Sequence, residues 1–106
     1  MEIFKFSQEA ESILTFLNNI EELIVQSNNR KDAAKVLRSL QAFIKDNKYP
    51  LPELESDIKN LLRVLIDSRP YTISSMLHDM GRDVIQLEHK QHRLKKMKKP
   101  NKPNNV

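Results

Sequence analysis

The chain contains no cysteine, no tryptophan and a single glycine, Gly81, among its 106 residues. Without cysteine it has neither a disulfide framework nor a thiolate metal site. One glycine is too few for the many tight turns of a sheet protein. Aromatic residues are scarce as well, and none stands in the basic run near the C-terminal end, which disfavours recognition of single-stranded nucleic acid by stacking. No apolar stretch approaches the roughly 20 residues that a membrane-spanning helix needs. The first residues, Met1-Glu2-Ile3-Phe4-Lys5-Phe6, lack the charged and then apolar regions of a secretory signal, so a cytoplasmic protein is expected.

What is present fits one domain. The hydrophobic fraction is 39% and the charged fraction 30%, within the range of globular chains. The net charge of +4 is unevenly spread. Residues 1–86 hold 11 Lys and Arg against 13 Asp and Glu, whereas residues 87–106 hold 7 basic residues against Glu88 alone. The basic character therefore belongs to the C-terminal end and not to the body.

Four segments have apolar residues at helical spacing. The first follows Ser7, a suitable N-cap, and carries Ile13, Phe16, Leu17, Ile20, Leu23 and Ile24 on one face. Ser27-Asn28-Asn29 ends it and offers a cap for the next helix. The second runs from Arg30 to Lys45 with Ala33, Val36, Leu37, Leu40, Phe43 and Ile44. Its charges are mostly basic and those of the first segment acidic, so the two suit an antiparallel pair. Tyr49-Pro50-Leu51-Pro52 is the clearest break, because each proline drives the residue before it out of helical geometry. Pro52 can open the third helix at its first position. Leu54, Ile58, Leu61, Leu62, Leu65 and Ile66 then form a stripe ending near Ser68. Thr72 is the expected cap of a fourth helix with Ile73, Met76, Leu77, Met80, Val84, Leu87 and Leu94. Gly81 within it makes a kink or turn possible. The expected fold is all-α: an antiparallel up-down bundle of about four helices over residues 1–96, followed by a disordered basic tail over 97–106.

Catalytic chemistry finds little footing. His89 and His92 are three apart beside Glu88, a spacing that two zinc ligands could use, but a third ligand is missing. The plainer reading is two solvated residues at a frayed helix end. His78 is expected at the edge of the bundle. Asp79 and Asp83 are an i,i+4 pair without the Glu-x-x-His partners of a dinuclear carboxylate site. No nucleophile has an adjacent base and no glycine-rich loop could hold phosphate. The chain is expected to be no enzyme, to need no cofactor or metal and to take no small-molecule substrate.

Partner contacts are a better expectation. Tyr49, Leu51 and Tyr71 lie in loops where the core cannot easily use them all. His89, Lys90, His92, Arg93, Lys95, Lys96, Lys98 and Lys99 form a basic run able to hold phosphates of nucleic acid or of an anionic membrane surface. A helix-turn-helix version would place Gly81 at the turn and Arg82 at the start of a recognition helix reaching Lys96. The unbroken stripe through Met80, Val84 and Leu87 reads instead as one continuous helix.

The pattern of Val36-Leu37, then Lys48-Tyr49-x-Leu51, then Ile58, Leu61, Leu62 and Leu65, then Arg69-x-Tyr71-Thr72 resembles the immunity proteins that protect producers of pediocin-like (class IIa) bacteriocins. The resemblance spans about residues 33–85. It implies a non-enzymatic intracellular protein that blocks a bacteriocin at a membrane receptor, its last helix and tail deciding which bacteriocin is recognised. A protein partner near the membrane is thus the first expectation. A small DNA-binding regulator using the basic end, and a helical chaperone or adaptor, are the alternatives.

Overall fold

The computed structural model describes the backbone of residues 4–98 and the side chains of residues 4–94. Four helices follow in order, α1 (Gln8–Ser27), α2 (Arg30–Asp46), α3 (Pro52–Val64) and α4 (Pro70–Lys98), with no strand among the described residues. Each packs on its neighbours in sequence, and α4 closes the ring against α1. The result is the antiparallel up-down bundle that short connections favour. Among the described residues, no helix is long and apolar enough to cross a membrane.

The core is a seam that steps by three and four residues along every helix, the a/d spacing of helices packed side by side. It runs through Ala10, Ile13, Leu17, Ile20 and Ile24 of α1, and Ala33, Leu37, Leu40 and Ile44 of α2. Leu54, Ile58, Leu61 and Leu65 extend it along α3 and the following turn, and Ile73, Leu77, Met80 and Val84 along α4. Phe16, Leu23, Val36 and Phe43 flank the seam, partly buried. Each fully buried aliphatic side chain contributes about 1.5–3 kcal/mol, against under about 1 kcal/mol for a surface ion pair. The seam therefore sets the register. The complementary charges of α1 and α2 form no ion pair with each other among the described residues; the interhelical one joins Glu21 of α1 to His78 of α4.

Several expected boundaries shift. The fourth helix begins at Pro70 and not after Thr72, since proline fits the first turn, where its missing N–H is not needed. The third ends at Val64 and leaves Ile66 77% exposed, because the chain turns away from the seam there. Leu94, expected on the apolar face, is 50% exposed because the other helices have ended by that point. The last helix continues through Lys98, past the expected end of the bundle at residue 96. The remainder of the expected disordered tail, 99–106, lies outside the described residues.

Gly81 does not end α4, which runs without a break from Pro70 to Lys98. No turn forms at Gly81, so the helix-turn-helix arrangement is not present. A Cβ at this position would lie 3.7 Å from Leu14 Cδ2 and 3.8 Å from Leu17 Cδ1, ordinary contact distances.

Candidate binding surface at the Glu88 end of the bundle

After Val84 the next fully inward position of α4 belongs to a carboxylate. Glu88 is only 7% exposed, and a buried carboxylate is tolerated only with hydrogen-bond donors around it. Three converge on it. The Ser7 amide donates to Oε1 at 2.8 Å, the Ser7 hydroxyl to Oε2 at 3.1 Å, and the Tyr49 hydroxyl to Oε2 at 2.8 Å. Ser7 also accepts from the Ala10 amide at 3.1 Å, so one residue caps α1 and ties its start to α4.

Tyr49 is thus placed differently from the loop exposure expected of it: it is 9% exposed and part of the core. The cause is local. Lys48 adopts the left-handed conformation at φ 50°, and the Tyr49 amide donates back to the Ile44 carbonyl at 3.2 Å. This helix-ending motif turns its final residue inward onto the last helical turn. Burial, with the Glu88 carboxylate and the charge of Glu9 adding to it, holds the Tyr49 phenol well above its usual range.

Beyond Glu88 the N-terminal segment lies on α4 through aromatic contacts. Phe4 stacks on His89 with ring centroids 4.2 Å apart and planes 9° from parallel, and meets His92 edge-on at 5.1 Å. Phe6 packs edge-on against Phe4 at 5.1 Å. The two histidines are therefore not simply solvated: one phenylalanine ring contacts both. Lys90 and Arg93 are exposed. Lys95, Lys96 and Lys98 continue on the helical backbone, and Lys99 lies outside the described residues.

One groove of about 430 Å³ joins two residues singled out from sequence. Leu51 lines it from the α2–α3 turn, Leu87 and Lys90 from α4, and Glu53 and Asp83 supply acids at its edge. The other two singled-out residues lie elsewhere. Tyr71 is at the opposite end of the bundle, 82% exposed. Arg82 pairs with Asp79 at 3.1 Å on the outer face of α4. Asp57 of α3 lines a groove there with Asp79 and Asp83. Burial, then the charges of Asp83, Glu53 and Asp79, push its carboxyl upward.

Sequence reasoning missed Glu88, Ser7 and Phe4 as one cluster, because 81 residues separate Ser7 from Glu88. The available signal was the three-and-four stepping of α4, which makes Glu88 the next core position after Val84. It also missed Arg30, whose guanidinium donates to the carbonyls of Leu65, Ile66 and Ser68. That side chain closes the open C-terminal end of α3.

Comparison of the chain with protein-family models, with curated proteins and with solved structures finds no match.

Proposed function

We propose that the chain is a non-catalytic binding protein of the bacteriocin-immunity kind, acting on a protein partner near the membrane from inside the cell. The contact surface is the Glu88 end of the bundle: the groove between the α2–α3 turn and α4, and the free length of α4 beyond it. The observation that supports this reading is the meeting of Leu51, Leu87 and Lys90 in one open groove. It brings apolar side chains together with a cation, Lys90, and two acids, Glu53 and Asp83, the mixture that suits a protein surface. The resemblance over residues 33–85 assigns recognition to the last helix, and α4 forms one side of this groove.

The test is protection. The protein is expressed in a bacterium sensitive to pediocin-like peptides, and growth is followed against a panel of them. Protection against at least one peptide is expected, with loss in Leu51→Asp and Lys90→Glu at a temperature where circular dichroism shows both variants folded. Absence of protection across the panel removes the immunity reading. Protection undiminished in both variants removes the groove.

A further inference from the structure

We infer that the free end of α4, with the N-terminal segment beside it, is a docking element for an anionic lipid surface. Among the residues whose side chains are described, Glu88 is the last buried position of the α4 seam. The same three-and-four stepping continues through Gln91, Lys95 and Lys98. These positions are hydrophilic, and Leu94 beside them leaves little apolar surface to bury against another helix.

Its charge is all of one sign. From 89 to 98 the helix carries Lys90, Arg93, Lys95, Lys96 and Lys98 and no acid. The nearest acid along the chain, Glu88, is buried against three donors and presents no carboxylate to the exposed surface here. Lys90 and Arg93 form no ion pair among the described residues. Lys5 adds an exposed cation on the segment that Phe4 anchors to His89. Such clusters are drawn to anionic headgroups by their summed charge.

Two observations favour a lipid surface over a nucleic acid. The rest of the molecule is close to neutral with a slight acidic excess, 13 Asp and Glu against 11 Lys and Arg in residues 1–86. A long duplex would have to run past those acids, whereas a planar surface meets only the tip of the molecule. Within the basic run Leu94 is 50% exposed. An apolar side chain among cations can enter the headgroup boundary of a bilayer, but it gains nothing against a phosphodiester backbone.

The inference shares the free length of α4 with the immunity reading but does not rest on it, and its readout, vesicle binding, is separate from protection. The full chain is cosedimented with vesicles of phosphatidylcholine alone and of phosphatidylcholine containing phosphatidylglycerol, at low and physiological ionic strength. A duplex oligonucleotide is titrated in parallel. The comparison variant is K90Q/R93Q/K95Q/K96Q/K98Q, its fold checked by circular dichroism and thermal unfolding. Expected is binding to the anionic vesicles only, weakened by salt, with the partition coefficient falling up to about fivefold for each basic residue removed. No binding to anionic vesicles at low ionic strength overturns the proposal, as does unchanged binding by the folded variant. Tighter binding to the duplex than to the vesicles at equal salt also overturns it and assigns the surface to nucleic acid.

Discussion

The Tyr49 hydroxyl donates to Glu88 Oε2 at 2.8 Å, joining the α2–α3 turn to a residue 39 positions further along the chain. Glu88 also accepts from Ser7, so three separate segments converge on one buried carboxylate. Removing the hydroxyl leaves the carboxylate with fewer donors in a place that water does not easily reach. Tyr49→Phe is expected to destabilise the fold by about 1.5–3 kcal/mol, the range for a hydrogen bond to a charged group. Urea unfolding measures this as a lower midpoint at unchanged slope, and a double-mutant cycle with Glu88→Gln isolates the pair. An unaltered midpoint in Tyr49→Phe would show that the bond adds nothing.

At the opposite end, Arg30 reaches from the start of α2 to the carbonyls of Leu65, Ile66 and Ser68. These carbonyls lie past the end of the shortest helix, 13 residues long, where intrahelical donors have run out. Arg30→Ala is expected to cost about 1–2 kcal/mol, from charged hydrogen bonds that are partly open to solvent. Hydrogen exchange should quicken first for the amides of residues 61–68. Arg30→Lys should recover only part, because an ammonium lacks the planar fork of guanidinium.

Gly81 lies in the middle of α4 with room for one more carbon, the nearest side-chain atoms being 3.7 and 3.8 Å from the added position. Gly81→Ala should therefore stabilise the chain by about 0.5–1 kcal/mol, since alanine loses less backbone freedom in a helix. A rise in thermal midpoint tests it. A fall would mean that α1 and α4 cannot accommodate the methyl group.

Two carboxylates respond to acid with opposite signs. Glu21 accepts from the Ser74 hydroxyl, which holds its pKa below the ordinary glutamate value of 4.5 despite partial burial, and His78 adds to the effect. A depressed folded pKa means that its contribution is present above 4.5 and lost as pH falls through the folded value. Ser74→Ala should therefore be less stable than wild type near neutral pH, the difference closing in strong acid. Asp57 is raised above 3.8 by burial and then by Asp83, Glu53 and Asp79. Its penalty is present above the folded pKa and relieved as pH falls toward 3.8. Asp57→Asn should gain a few tenths of a kcal/mol at neutral pH, a small effect because the site is partly solvated. Urea titrations across pH separate the two.

The amino-acid sequence by itself determined the fold class, the four helices and most of the core. Those properties follow from local periodicity, which aliphatic residues three and four apart express without reference to any distant segment. Ser7, Asn29 and Pro52 marked helix starts in the same local way. The same spacing misled at Ile66 and Leu94, whose positions on a stripe say nothing about whether a neighbouring helix still stands opposite. Only the tertiary structure decided which polar residues are buried. Glu88 is a core residue because Ser7 and Tyr49 arrive with donors, and Tyr49 is buried because a left-handed Lys48 turns it inward. Such contacts join residues far apart in the chain, and the cost of burying a carboxylate is offset only where the folded geometry brings all its partners together.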